Sequence, residues 1–236
     1  MSQKQIIVRA DGSIINLLAD TVPDAKALVV FAHGAGADMS HEFMTTVSQL
    51  LNKERVNVLR FNFPFMDKRA LTGKKSPPDR MPKLLACYEE VLANLVNKDG
   101  NKLPLFIGGK SMGSRAATTL LMEAEALTQD IYDKVKGIVC LGYPFHPAKK
   151  PENLRLAPLF SDNKPILIIQ GERDSLGNKT EIMSYNLPQL CQCVFLEDGD
   201  HSLKPRVKSG FTYDVHLQQA VKEIVKFIDN QTGINN

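Results

Sequence analysis

The chain has 236 residues, of which 43% are hydrophobic and 23% are charged, and its formal net charge is +3. These values are typical of a soluble globular protein with a sizeable core. A net charge this small does not indicate a nucleic-acid-binding protein, so we expect no nucleic-acid partner.

The start of the chain and its cysteines bear on location and on metal binding. Residues 1–10 have neither the basic start nor the apolar stretch of a signal peptide, and no apolar run reaches the roughly 18 residues that span a bilayer. We therefore expect a cytoplasmic protein without a membrane partner. The cysteines lack the spacing of a zinc site, so we expect reduced, buried thiols and no metal. They are Cys87, Cys140, Cys191 and Cys193.

Strand-like and helical patterns alternate along the chain. The predicted strands are 5–9, 14–18, 27–32, 56–61, 105–108, 137–141, 166–169 and 191–196. The predicted helices are 41–52, 79–96, 112–126 and 214–228. The later strand-like runs are apolar without alternation, as expected when helices cover both faces of a parallel sheet. The pattern predicts an α/β fold with a mainly parallel central sheet of about eight strands.

Two segments interrupt this alternation. Residues 63–78 are predicted to form a loop rich in Pro, Lys and Gly, and residues 142–164 carry several prolines. Both follow a strand, so both should lie over the carboxyl edge of the sheet, where ligands of open α/β sheets bind. We find no linker and no internal repeat. The chain is therefore interpreted as one domain over residues 1–236, with 142–164 as a short cap.

The most informative stretch is Gly-Lys-Ser-Met-Gly at residues 109–113, between a predicted strand and a predicted helix. A sharp strand-to-helix turn strains the central residue, and the flanking glycines relieve crowding where strand and helix pass close together. Ser111 is therefore predicted to be a nucleophile at the sheet edge, with the N–H of Met112 facing an oxyanion. A phosphate-binding loop would need a glycine at position 104, where the chain has Pro104.

A second stretch, His-Gly-Ala-Gly, closes the third predicted strand at residues 33–36. A turn of this kind supplies the other oxyanion donor in hydrolases, and Ala35 is the candidate, with Gly36 second. The alternative is a dinucleotide fingerprint, but its last glycine position is Met39. His33 is interpreted as a structural hydrogen-bonding residue.

Two later loops offer an acid and a base. Asp174 follows an apolar strand and is predicted to accept the N–H of a histidine, with Glu172 as the alternative acid. His201 follows the last predicted strand on a polar loop. The order Ser, Asp, His along the chain is the order that hydrolases with a Gly-x-Ser-x-Gly elbow use, and it favours both assignments.

Over nearly its whole length the sequence resembles the α/β-hydrolase superfamily, and it is similar to small dienelactone-hydrolase-like proteins. More closely, it resembles the group that contains bacterial hydrolase-like proteins and the hydrolase-like domain of the third subunit of the nonspecific-lethal chromatin complex. This resemblance implies Ser111 as nucleophile, Asp174 as acid and His201 as base. The residues behind the closer match are 33–36, 60–64, 109–115, 142–147 and 199–201.

Three further residues are candidates for substrate binding. Arg115 lies one helical turn after Ser111, where it either binds an anionic group or forms a buried ion pair that fixes the turn. His146 either contacts substrate or braces the proline-rich segment. Tyr143, with Phe145 and Leu159, is expected to offer apolar surface to an acyl group on the wall of the pocket.

These residues predict a serine hydrolase that cleaves a small ester or thioester through an acyl-enzyme, with a small-molecule acyl substrate and no cofactor. The alternative, from another class, is a non-catalytic binding or assembly module on the same fold. A peptidase ranks below an esterase because no added recognition domain for peptides is present. The sequence does not specify the oligomeric state.

Overall fold

The computed structural model describes residues 2–97, 102–123, 127–161 and 164–233. Helices and strands alternate around one eight-stranded sheet, in the order β1-β2-β4-β3-β5-β6-β7-β8. Pairing is antiparallel between β1 and β2 and between β2 and β4, and parallel throughout the rest. The predicted α/β fold with a mainly parallel sheet of about eight strands is confirmed. The strands are β1 Gln3–Val8, β2 Ile14–Asp20, β3 Ala27–Ala32, β4 Val56–Phe61, β5 Leu105–Lys110, β6 Val135–Leu141, β7 Ile166–Gly171 and β8 Cys191–Leu196.

Seven helices in the described part of the chain pack on the two faces of the sheet. One apolar cluster lies beneath α1 and α7, and the other lies mainly beneath α3 and α4. Burial of the central strands on both faces explains why they are apolar without alternation. The helices are α1 Glu42–Lys53, α2 Pro64–Thr72, α3 Met81–Asn97, α4 Met112–Met122, α5 Gln129–Lys134, α6 Lys179–Met183 and α7 Tyr213–Thr232.

The strand order places the candidate site. The chain runs from β3 through α1 to β4 on one side, and then returns to pair β5 with β3 on the other side. The carboxyl ends of β3 and β5 therefore form the point where the strand order reverses. Open α/β sheets bind ligands in the crevice at such a point.

Several sequence predictions need correction. Residues 63–78 are not all loop, because 64–72 form α2. The helix begins with Pro64, at a position where a proline is tolerated, and Gly73 with φ 66° caps its carboxyl end. The short helices α5 and α6 were not predicted. The helix predicted to end at 126 ends at Met122, and residues 124–126 lie outside the described residues. All four cysteines are free, but Cys193 is only partly buried.

None of the helices in the described part of the chain combines the length and the apolar character that crossing a bilayer requires.

Candidate active site

Ser111 lies at the sharp turn between β5 and α4. Its backbone has φ 53° and ψ −111°, and a non-glycine residue with positive φ persists only where the surrounding structure enforces it. The N–H of Ser111 donates to the carbonyl oxygen of Leu141 at 2.9 Å, and its carbonyl accepts from the N–H of Arg115 at 3.1 Å. The turn is therefore held to β6 on one side and to the first turn of α4 on the other.

The two glycines of the turn lie where no side chain would fit. A Cβ on Gly109 would lie 2.5 Å from the carbonyl oxygen of Ala32, and a Cβ on Gly113 would lie 2.3 Å from the same oxygen. This oxygen belongs to the backbone, so neither contact is relieved by a rotamer change. The close approach of β3, β5 and α4 explains the Gly-x-Ser-x-Gly spacing.

This packing predicts that Gly113→Ala destabilises the protein. The added methyl would overlap backbone, so we expect a loss of more than about 3 kcal/mol in the free energy of unfolding, at the upper end of overpacking costs. Denaturant unfolding of both proteins measures it. Gly36→Ala is the matched control, because nothing lies within 4 Å of its added Cβ, and we expect it to change stability by less than about 1 kcal/mol. Equal effects of the two substitutions would contradict the packing argument.

His201 joins Ser111 to Asp174 through its two ring nitrogens. The Nε2 atom lies 2.8 Å from Ser111 Oγ, and the Nδ1 atom lies 2.8 Å from Asp174 Oδ2. Asp174 is fully buried, while the side chain of His201 is 27% exposed. The carboxylate acts as an acceptor, so Nδ1 carries a proton and Nε2 is free to accept from the serine hydroxyl in the neutral imidazole. The structure thus brings together the three residues that the sequence singled out.

Asp174 is surrounded by hydrogen-bond donors. Besides His201, the Nε2 atom of Gln170 donates to its Oδ2 at 2.8 Å, and the N–H of Leu176 donates to its Oδ1 at 2.8 Å. These hydrogen bonds satisfy both oxygens of the buried carboxylate and fix its orientation toward the imidazole. The alternative acid, Glu172, instead binds Lys179 Nζ at 2.7 Å, which lowers the pKa of Glu172. Of the two acids, only Asp174 contacts the histidine.

The loop after β3, residues 33–37, lies next to the nucleophile. A Cβ on Gly34 would be 3.6 Å from the Cβ of Ser111. The N–H groups of Ala35 and Met112 donate to no acceptor within the described residues. Two unpaired N–H groups on the segments flanking a serine are the arrangement that stabilises an oxyanion.

Buried polar contacts hold this loop in place. Nε2 of His33 accepts from the N–H of Phe63 at 3.0 Å, so the ring proton is on Nδ1, which donates to the carbonyl of Gly34 at 2.6 Å. Burial lowers the pKa of His33 to about 4, so the ring is neutral at pH 7. Arg69 donates from Nη1 to the carbonyl of Ala35 at 3.1 Å. His33 therefore has the structural role that its sequence position indicated.

A cavity of about 470 Å³ opens beside Ser111 and His201, within the range of small-molecule sites. Its walls come from the loop after β3, the first turns of α1 and α7, and the elbow. No Asp or Glu of the described residues lines it. The lining residues outside the predicted motifs are His41, Phe43, Met44, Ser202 and Tyr213.

The predicted contribution of the proline-rich segment to the pocket wall is not what the structure shows. Tyr143, Phe145 and Leu159 are buried in the apolar core rather than lining the cavity. Tyr143 donates its hydroxyl to the carbonyl of Arg155 at 2.8 Å. His146 is 3% exposed, and its ring nitrogens lie 3.0 Å from the carbonyl of Pro147 and 3.4 Å from a carboxylate oxygen of Glu181. The apolar side chains that were expected to contact substrate therefore pack in the core instead.

Arg115 is also absent from the residues that line the cavity. Its guanidinium forms no ion pair with any described residue, so the buried ion pair offered as its alternative role is not found either. Instead, it lies close enough to Arg155 for the two charges to repel, and burial together with this repulsion lowers the pKa of Arg155.

Sequence reasoning missed Gln170, Lys110 and the helix-borne pocket residues. Gln170 stands four residues before Asp174, at the end of a strand of apolar residues, and a polar residue there was a usable signal. Lys110 was weighed only as part of a phosphate loop. Phe43 and Met44 lie in the first turn of α1, and Tyr213 begins α7. The sequence of these turns does not indicate which of their side chains face the cavity.

Comparison with known proteins identifies the family of this chain. The α/β hydrolase domain family matches residues 25–229 of the chain. The chain therefore belongs to this family, as the sequence resemblance implied.

Solved structures share the fold at low sequence identity. The dienelactone hydrolase from Anabaena variabilis is 17% identical, with a TM-score of 0.69 over 97% of this chain and 98% of that chain. Est1E from Butyrivibrio proteoclasticus is 16% identical, with a TM-score of 0.68 over 98% and 99%. XC6422 from Xanthomonas campestris, described as a serine hydrolase without lid, is 18% identical, with a TM-score of 0.62 over 94% of both chains. The finer grouping with the chromatin-complex subunit stays a prediction.

Proposed function

We propose that this protein is a serine hydrolase that cleaves small carboxylic esters or thioesters through an acyl-enzyme on Ser111. The observation that carries the proposal is the continuous chain of 2.8 Å contacts from Ser111 Oγ through His201 to Asp174. A buried carboxylate that orients a histidine, which in turn contacts a strained serine, matches the requirements of an activated nucleophile.

Each step uses atoms already in place. Ser111 Oγ attacks the carbonyl carbon while Nε2 of His201 takes the hydroxyl proton. The N–H groups of Met112 and Ala35 hold the resulting oxyanion. Nε2 then returns the proton to the leaving alcohol or thiol as the bond to it breaks. Water then attacks the acyl carbonyl while Nε2 takes one of its protons. The bond from the acyl group to Ser111 Oγ breaks as Nε2 returns that proton to Oγ, which releases the carboxylic acid and restores the serine. The partial exposure of His201 gives the water access.

Asp174 keeps its charge throughout and stabilises the imidazolium that forms at each proton transfer. Tyr143, His146 and Arg115, which the sequence predicts as substrate-binding residues, do not line the cavity, so we propose no binding role for them. The acyl or leaving group is proposed to contact the apolar walls instead, which Phe43 and Met44 supply from α1.

A matched panel of acyl esters and thioesters tests this function. Purified protein and its Ser111→Ala variant are assayed on 4-nitrophenyl esters and on N-acetylcysteamine thioesters with acyl chains of two, four and six carbons. We expect turnover by the wild type alone, with the preferred chain length set by the cavity. Equal rates for the two proteins on every compound would contradict it and favour a binding module.

A further inference from the structure

Lys110 occupies an unusual position for a cation. Its Nζ atom donates to the main-chain oxygen of His201 at 2.6 Å, and it lies 5.7 Å from the ring centroid of Phe43 in α1. No carboxylate of the described residues forms an ion pair with it. Lys110 is the residue immediately before the nucleophile, so this one contact ties the elbow directly to the loop that carries the base.

Gly142, at the end of β6, shows how tight the arrangement is. A Cβ built on it would lie 2.8 Å from both Lys110 Nζ and the carbonyl oxygen of His201, and 3.5 Å from Cε1 of the imidazole. The ammonium and the imidazole ring therefore both lie within 3.5 Å of the same point. The residue there has φ 62°, and glycine satisfies both the backbone conformation and the lack of space.

We propose, on the basis of the proposed function, that Lys110 is a positioning residue: the hydrogen bond from its Nζ atom fixes the main chain of His201. This contact keeps Nε2 of His201 at bonding distance from Ser111 Oγ.

The protonation state of Lys110 is compatible with this role. Burial lowers the pKa of Lys110 to about 8, while the negative charges of Asp174 and Asp200 oppose that shift. The side chain is therefore charged across the acidic half of a pH–rate profile and loses its charge at alkaline pH.

The other titratable groups around the cavity are His41 and Tyr213. Burial raises the pKa of Tyr213 to about 12, so the phenol is neutral in this range. Burial also keeps His33 neutral above pH 4 or so. Lys110 is the one lysine or arginine among the described residues that line the cavity.

Three substitutions test the hydrogen bond from Lys110. Lys110→Met removes the donor, Lys110→Gln keeps a neutral donor, and Lys110→Arg keeps a charged donor. The value of kcat should fall about 10- to 100-fold in Lys110→Met, on the scale of a misplaced catalytic group, and less in Lys110→Gln. Lys110→Arg should recover most of the wild-type kcat, and labelling of Ser111 by a fluorophosphonate should slow in parallel with kcat, because both report how well His201 activates the serine.

Lys204→Met is the matched control, because it removes one positive charge from the loop of His201 at an exposed position. We expect its kcat and its labelling rate to match the wild type. Circular dichroism and thermal unfolding establish that each variant is folded, and Lys110→Gln decides the matter if Lys110→Met does not fold. Wild-type kcat and an unchanged labelling rate in the folded neutral variants would overturn the inference. Absence of activity in the wild type itself would instead contradict the proposed function.

Discussion

Replacing Ser111 with alanine is expected to lower ester hydrolysis by about 10⁶-fold, the scale observed when such a nucleophile is removed. The hydroxyl is the atom that Nε2 of His201 contacts at 2.8 Å, and alanine leaves the base without a partner to activate. The strained turn itself is held by backbone contacts to Leu141 and Arg115, so the variant should fold. Initial rates on the preferred ester, with thermal unfolding as a check of the fold, measure the effect.

Ser184→Ala provides the control for a serine substitution as such, because Ser184 is exposed immediately after α6 and its hydroxyl bonds only the carbonyl of Glu181. Its activity should match the wild type. Residual activity of Ser111→Ala within tenfold of the wild type would show that Ser111 is not the nucleophile.

The second large effect is expected from Asp174→Asn, at about 10⁴-fold in kcat. Three donors converge on this carboxylate, from His201, Gln170 and Leu176. An asparagine has only one acceptor oxygen, so its NH₂ group would face a donor or force the imidazole into the tautomer with its proton on Nε2. That tautomer cannot accept the proton of Ser111.

Glu172→Gln is the matched control for Asp174→Asn, since both substitute an amide for an acid on the same loop. Glu172 binds Lys179 and the N–H of Asp198 rather than the base, so we expect its kcat to stay within about threefold of the wild type, as for surface ion pairs generally. A larger loss in Glu172→Gln than in Asp174→Asn would reverse the assignment of the acid.

The parts of the fold predicted from sequence are those with strong local signals. The apolar run 27–32 has the observed strand boundaries, because a strand buried on both faces has no polar positions to blur its ends. The run 191–196 also has the observed boundaries, although it forms the edge strand β8 and its Gln192 is exposed. The helix α2 escaped prediction because its first-turn proline and the Gly, Lys and Pro residues that follow it at 73–78 are also typical of a loop. The helix α6 carries a capping box between Asn178 and Glu181, a signal that was present and not used.

The candidate site was likewise predictable from the sequence only in part. Ser111, Asp174 and His201 each follow a strand, and parallel strands deliver their carboxyl ends to one edge, so their meeting was predictable. The cavity walls were not predictable, because they depend on the rotation of α1 and α7 about their axes and on how deeply Tyr143 and Phe145 enter the core. Those orientations follow from packing between segments far apart in sequence.

Covalent labelling of Ser111 is the measurement that tests the central claim most directly. A fluorophosphonate reacts with a serine whose hydroxyl is activated by a base, and it needs no knowledge of the natural substrate. We expect the wild type to gain one adduct, located by peptide mass spectrometry on Ser111, and both Ser111→Ala and His201→Ala to remain unlabelled. A wild-type protein that is folded and stays unlabelled, or an adduct on a different serine, would contradict the account.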